Sequence, residues 1–335
     1  MPELDGFGVL EQLAGNDQWR SIPVIIISAA DDMRSIVRGI ELGAVDFLPK
    51  PFEPAILHAR LRAGLEKKRI ADLEQMYLAS LEQELEIGRQ IQAGFLPRKI
   101  PQPAGWGISS YFKAAHEVAG DFYDVFEIEP NRVCLLLGDV TDKGVGSAIY
   151  MALYRSLLKA NIMSAHLSDS SEAGPIKLSG EVTKRAIQLV NRYICRFHES
   201  AMLATVFLGI LNTETGEISY TNAGHDPPLL VSAQGELTEV EPSGPIVGAI
   251  EEADYQVRQL QLKPGTKLVL YSDGIPDARD RKGAMFGMEK LANLVKQGAG
   301  SANELSGQVL LALREFVGEA EAYDDISLLV LRRDD

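Results

Sequence analysis

From Pro54 to Phe95 the chain is almost free of glycine and proline and rich in Glu, Leu, Lys, Arg and Gln, a composition that favours one long helix. Leu57, Leu61 and Leu65 repeat at four-residue spacing. After a phase shift, Ile70, Leu73, Tyr77, Leu81, Glu84 and Gly88 continue the stripe at steps of roughly three and four. A lone helix cannot bury such a stripe, so it packs on a second copy or back on its own domains. A two-stranded parallel coil is the expectation, although Gly64, Glu84 and Gly88 make the seam imperfect. Leu96-Pro97 ends the helix and separates two regions of different character.

Ahead of it, helix and strand signals alternate. Val9 to Leu13 is helix-like, Pro23 to Ser28 reads as a buried parallel strand, and Asp32 to Leu42 is a helix stopped by Gly43. Val45 to Leu48 is a short strand and Lys50-Pro51-Phe52 a turn, which together make an α/β unit. Behind the helix, strand character falls at Ile108–Phe112, Asp124–Ile128, Arg132–Leu137, Thr205–Leu211 and Glu217–Thr221. Leu229–Val231, Leu268–Tyr271 and Ile326–Leu331 complete the strands, with a hairpin turn at Asn212–Gly216. Helices are expected at Ala148–Met163, Gly180–His198, Gly287–Lys296 and Ala302–Phe316, and a polar link at Ser168–Pro175. This order predicts an α+β fold with two antiparallel sheets face to face and helices outside. The expected divisions are 1–65, a helical linker over 66–97, and 98–335.

A hydrophobic share of 46% fits a globular protein, and no apolar run is long enough to span a bilayer. The first residues lack the basic and apolar regions of a signal peptide, so a cytoplasmic protein is expected. Cys134 and Cys195 suit reduced core thiols better than a disulfide framework. A formal net charge of −14 argues against nucleic acid as the main ligand, because phosphate-backbone binding needs a basic face.

The apolar run Val133–Leu137 leads into Gly138-Asp139-Val140-Thr141-Asp142-Lys143-Gly144. A carboxylate at such a junction is either part of a turn or a ligand for a hard cation, and the heptapeptide alone leaves both open. Three further aspartates sit at strand-turn junctions: Asp121, Asp273 and Asp324. If strand ends bring them together, carboxylates about 4 Å apart repel by roughly 4 kcal/mol at an effective dielectric near 20, a penalty that divalent ions remove. Two metals so held activate water and clamp a phosphoryl oxygen.

Ile91-Gln92-Ala93-Gly94-Phe95-Leu96-Pro97, Gly120-Asp121-Phe122-Tyr123-Asp124, Gly138 to Gly144 and Ala204-Thr205-Val206-Phe207 stand in order along the chain, followed by Asn222-Ala223-Gly224-His225, Ser272-Asp273-Gly274 and Asp324-Asp325-Ile326-Ser327. From about Glu82 to Arg333 the chain thereby resembles bacterial metal-dependent protein phosphatases of the type 2C superfamily, in the stage II sporulation protein E and stress sigma-factor regulator branch. The resemblance implies a four-layer α-β-β-α sandwich and hydrolysis of phosphoserine or phosphothreonine by a two-metal-activated water. It implies two Mn²⁺ or Mg²⁺ ions, held by Asp121, Asp139, the Val140 carbonyl, Asp273 and Asp324, with Asp325 as a neighbour whose side chain points elsewhere. The implied substrate is a phosphorylated anti-sigma-factor antagonist. A non-catalytic partner-switching scaffold is the alternative. Ile275-Pro276-Asp277 and Asp226 depart from the usual pattern without removing an implied ligand. His225 and His116 read as supporting groups, and Lys143 as an exposed lysine or an electrostatic attractor of phosphate.

Met1-Pro2-Glu3-Leu4-Asp5-Gly6, Ile26-Ile27-Ser28-Ala29, Gly43 to Phe47 and Leu48-Pro49-Lys50-Pro51-Phe52 resemble the second half of a response-regulator receiver domain. Ser28 matches the family's hydroxyl residue and Lys50 its lysine, whose bond to the following proline is often cis. The phospho-accepting aspartate would precede the Met-Pro step, so an N-terminally truncated receiver is expected, regulating the phosphatase through a helix that forms a homodimer.

Overall fold

The computed structural model describes residues 5–29, 33–169, 181–198, 202–298 and 300–334, so Asp32, Gly180 and most of the Ser168–Pro175 link lie outside the described residues. The chain divides into two compact units, Met1–Glu84 and Leu85–Asp335.

The first unit contains α1 (Gly6–Ala14), β1 (Ile25–Ala29), α2 (Met33–Glu41), β2 (Asp46–Lys50) and the first part of α3 (Pro54–Ala93). Asp5 starts α1 by accepting a hydrogen bond from the Gly8 amide at 2.8 Å. The strands β1 and β2 are parallel, with Ser28 opposite Pro49 and Ala29 opposite Lys50. Ser28 and Lys50 therefore stand at the same end of neighbouring strands. The Lys50–Pro51 bond is cis. Along α3 the stripe residues Leu65, Ile70, Leu73 and Tyr77 are all exposed, so none of the described residues covers the middle of the seam.

The second unit begins with β3 (Trp106–Lys113), β4 (Phe122–Glu129), β5 (Arg132–Val140), α4 (Val145–Asp169) and α5 (Glu181–Phe197). It continues through β6 (Ala204–Asn212), β7 (Glu217–Ala223), β8 (Leu229–Val231), β9 (Leu237–Glu239), β10 (Arg258–Gln261) and β11 (Lys267–Tyr271). The last elements are α6 (Met288–Gln297), α7 (Ala302–Val317) and β12 (Ile326–Arg333). Helix α4 runs to Asp169, so Ser168 is helical rather than part of a link. Two five-stranded antiparallel sheets form, in the orders β10-β7-β6-β5-β4 and β3-β12-β11-β8-β9.

Strict alternation along the central strands sorts three apolar layers. Val133, Leu135 and Leu137 of β5 meet Leu268 and Leu270 of β11, and Leu329 and Leu331 of β12, between the sheets. Cys134 and Leu136 face the other way, under Met151, Tyr154 and Leu158 of α4 and Ile187 and Ile194 of α5. On the far side Val269, Tyr271, Leu328 and Val330 pack under Leu291 of α6 and Leu305, Val309 and Leu313 of α7. Each fully buried large apolar side chain contributes about 1.5–3 kcal/mol, so a strand buried on both faces is anchored twice over. The result is the four-layer helix-sheet-sheet-helix sandwich. Asp124, buried in this packing, takes Arg155 at 2.5 Å and Lys159 at 2.9 Å and so ties β4 to α4.

Candidate metal centre

The inner rows of side chains do not end with the core. Two residues before Tyr123, which packs on the inter-sheet core, the same face carries Asp121; two after Leu137 it carries Asp139. Two residues after Leu270 it carries Ser272, and ahead of Leu329 come Ser327 and Asp325. Apolar alternation thus turns into a polar lining at one end of the sandwich. The alternation is visible in the sequence, and it marks Ser272 and Ser327, within their motifs, as lining residues.

Backbone turns hold this end together. Gly120 lies so close to the Val140 carbonyl that a Cβ would come within 2.8 Å of its oxygen. Gly274 is tighter still: a Cβ there would meet the Asp325 carbonyl oxygen, so the Ser272–Gly274 turn and the Asp324-Asp325 turn fit only with glycine. Ser272 and Ser327 hydrogen-bond to each other, with the Ser272 amide donating to the Ser327 carbonyl at 3.0 Å and the Ser327 amide to Ser272 Oγ at 2.9 Å. Asp142 adopts a φ of 75° in the left-handed region that aspartate tolerates, and is exposed. It shapes the turn after Asp139.

Asp121 is fully buried and its Oδ2 has no hydrogen-bond partner. Burial first, and then the Asp139 charge, push its carboxyl well above the usual aspartate range, with Ser272 and Ser327 opposing. Burial and the charges of Asp273, Asp324 and Asp325 push Asp139 up to about 7. Asp273 is exposed at the rim, yet desolvation and then Asp324, Asp226 and Asp277 push it up to about 6. The two positions that depart from the usual motif, Asp226 and Asp277, thus add to the negative field. Asp139 lies within electrostatic reach of Asp273, Asp324 and Asp325 and beside Asp121. Asp325 turns away from the group: Oδ1 accepts from the Ala115 amide at 2.8 Å, and Oδ2 from Gly120 at 2.7 Å and Asp121 at 3.4 Å.

Among the described residues, no three His, Cys, Asp or Glu side chains stand close enough to close a metal shell as they are placed. Asp324 has another partner, since Lys143 Nζ lies 2.8 Å from its Oδ2 and also donates to the Tyr323 carbonyl at 2.7 Å. Lys143 is exposed, as expected, and its ammonium is held by Asp324 and the Tyr323 carbonyl. The donor chemistry still fits a hard divalent cation, with a buried, partnerless carboxylate oxygen and neighbours that resist ionising together. His225 is buried, with Nδ1 2.9 Å from Thr205 Oγ1 and its main chain bridged to Asn222, and desolvation holds it down at about 4. It supports the fold. His116 is exposed.

The end of α3 reaches this centre. Gln92 is buried and bonds twice to Ala119, donating to its carbonyl at 2.6 Å and accepting from its amide at 3.0 Å, two residues before Asp121. Gln92→Ala is expected to speed amide hydrogen exchange at Ala119 by about tenfold, the loss of roughly one net hydrogen bond. An unchanged rate would mean that the glutamine does not hold this loop.

The family model described as stage II sporulation protein E (SpoIIE) matches residues 129–334, and that of the response regulator receiver domain matches residues 1–62. Protein IcfG of Synechocystis sp. is 33% identical over 262 residues, covering 75% of this chain and 41% of its own length. Phosphoserine phosphatase RsbU of Bacillus subtilis is 24% identical over 257 residues, covering 76% of this chain and 71% of its own. This chain accordingly spans less than half of the first relative and about seven-tenths of the second. The solved SiaA-PP2C domain of Pseudomonas aeruginosa shares the fold, with a TM-score of 0.65 at 21% identity over 77% of this chain and 99% of that one.

Proposed function

The chain belongs to the stage II sporulation protein E family, and from that premise we propose that it is a metal-dependent protein serine/threonine phosphatase. The observation that carries the reading is the partnerless Asp121 oxygen, buried beside Asp139 where burial first, and then mutual repulsion, holds protons on the carboxyls. Asp121, Asp139, the Val140 carbonyl, Asp273 and Asp324 would hold two Mn²⁺ or Mg²⁺ ions. Bound there, such ions lower the pKa of water and draw charge from a phosphoryl oxygen. The chain's own part is to fix the donors. Gly120 and Gly274 allow the turns to meet, Ser272 and Ser327 line the floor, and Asp325 pins the segment that carries Asp121. Lys143, paired with Asp324, would compete with a cation for that carboxylate.

The substrate in this reading is a phosphorylated protein, by analogy with RsbU as a phosphoserine phosphatase, and in the first place an anti-sigma-factor antagonist, as the family resemblance implies. Residues 1–65 form a receiver segment bearing Ser28 and Lys50, 66–97 the linker and 98–335 the phosphatase domain. The exposed α3 stripe supports a homodimer through the linker, and the Gln92–Ala119 bonds support a route from linker to metal centre. No described helix is long and apolar enough to cross a membrane, and a cytoplasmic setting suits a phosphoprotein substrate.

The test is release of phosphate from a phosphoserine protein with and without Mn²⁺. Hydrolysis that needs Mn²⁺ and stops with EDTA is expected. Tight substrate binding with no hydrolysis under any divalent ion would instead identify a partner-switching scaffold.

A further inference from the structure

Beside the metal centre, α7, β3 and the turn after β11 enclose a cleft of about 140 Å³ whose wall includes Gly274 and Asp324. Its floor is apolar, formed by Ala278, Leu313, Val317 and Ile326. Its rim is cationic, with Lys113 from β3, Arg279 from the turn and Arg314 from α7. Tyr323 stands at the mouth, 43% exposed, with the Arg279 guanidinium 4.3 Å and the Lys143 ammonium 5.0 Å from its ring centre. Lys113 and Arg314 are exposed, and neither has an ion-pair partner among the described residues. The acidic groups of the lining are Glu321 and Asp324, and Asp324 is already matched by Lys143.

Cations gather at other clefts of this acidic chain too, as Lys267, Lys296 and Arg332 do, but here they stand beside Asp324 of the proposed metal centre. We propose that this cleft receives the substrate segment flanking the phosphorylated residue, taking one apolar side chain on its floor and an acidic residue at its rim. The inference rests on the phosphatase reading, because the cleft shares Asp324 with the proposed metal centre. A phosphate ion alone would have no use for the apolar floor, whereas a peptide carrying an aliphatic residue next to Asp or Glu matches floor and rim together. The cleft thus selects among phosphoproteins by the residues beside the phosphorylated serine, while the carboxylates act on the phosphoester common to all of them.

The experiment uses the full chain in metal-free, low-salt buffer and fluorescence anisotropy of two unphosphorylated serine peptides. One carries Leu and Glu beside the serine, the other Leu and Lys. The wild type is expected to prefer the acidic peptide by tenfold or more. K113E/R314E, which alters two exposed side chains, is expected to lose that preference and to favour the basic peptide. Equal binding of both peptides to the wild type, or a preference that survives in the double variant, would overturn the assignment. Mn²⁺-dependent hydrolysis of p-nitrophenyl phosphate, measured on the same two proteins, reports the phosphatase reading separately. Equal rates are expected. No hydrolysis by either protein, with the peptide preference intact, would remove the phosphatase reading and leave the cleft as a docking site.

Discussion

Asp139→Asn is expected to abolish Mn²⁺-dependent phosphate release and, in the same protein, to raise the melting temperature measured in EDTA. The first effect follows from its place among Asp121, Asp273 and Asp324. Losing a ligand shared by this set should lower kcat/KM by on the order of a thousandfold, which is about 4 kcal/mol of transition-state stabilisation. The second follows from the sign of its titration. Burial and three neighbouring carboxylates push Asp139 up to about 7. Between the ordinary aspartate value near 4 and that level, the folded chain holds a proton that the unfolded chain has released. Stability of the metal-free protein therefore falls as pH rises through this window and stays low above it. An isolated group shifted this far would cost about 4 kcal/mol, and sharing among neighbours reduces the recoverable part to roughly 1–3 kcal/mol. Asparagine removes that cost. At pH 8 the variant should melt several degrees above the wild type in EDTA, and the gap should close near pH 4. Adding Mn²⁺ should raise the wild-type melting temperature and leave the variant almost unmoved. Scanning calorimetry at the two pH values, with EDTA or Mn²⁺, measures all of this. An undiminished rate, or an equal Mn²⁺ response in both proteins, would remove Asp139 from the centre.

The elements that the sequence announced are those with two-sided constraint. Val133–Leu137 is buried on both faces, so no other conformation satisfies its run of apolar residues, and β5 extends it only to Arg132–Val140. The strands that escaped notice, Leu237–Glu239 and Arg258–Gln261, are the outer strands β9 and β10 of the two sheets. An edge strand is paired on one side only, and these two carry mostly exposed polar residues with no usable alternation. The same distinction governs the centre. Asp121, Asp139, Asp273 and Asp324 were legible as strand-end carboxylates, because a local junction of apolar run and turn marks each one. That Lys143 would take Asp324 was not legible, since the pair spans 181 positions and depends on how two turns meet. Hydrogen bonds to main chain leave no mark in side-chain type, so nothing in the sequence marks Ala119 as the partner of Gln92.

Asp325→Ala is expected to have the opposite effect on stability from Asp139→Asn, although the two carboxylates sit in one field. Burial also raises Asp325, but three backbone amides pull it back, and those amides belong to the segment that delivers Asp121. A net hydrogen bond to a charged acceptor is worth about 1.5–3 kcal/mol, and buried donors left without a partner add a desolvation penalty. Against this, alanine relieves repulsion with Asp324 and Asp139. The balance is a loss of roughly 2–4 kcal/mol, or about 5–15 °C in melting temperature for a unit of this size, present with EDTA and with Mn²⁺ alike. Asp325→Asn keeps one acceptor oxygen and points an amino group at the other donors, so it should fall between wild type and alanine. Activity should drop in both variants through Asp121, visible as a higher Mn²⁺ concentration at half-maximal rate, since the Gly120 and Asp121 amides lose their common anchor. A pure ligand behaves differently: its removal spares the metal-free protein or stabilises it. Melting in EDTA therefore separates the two roles, and a metal-free Asp325→Ala protein more stable than wild type would place Asp325 among the ligands instead of behind them.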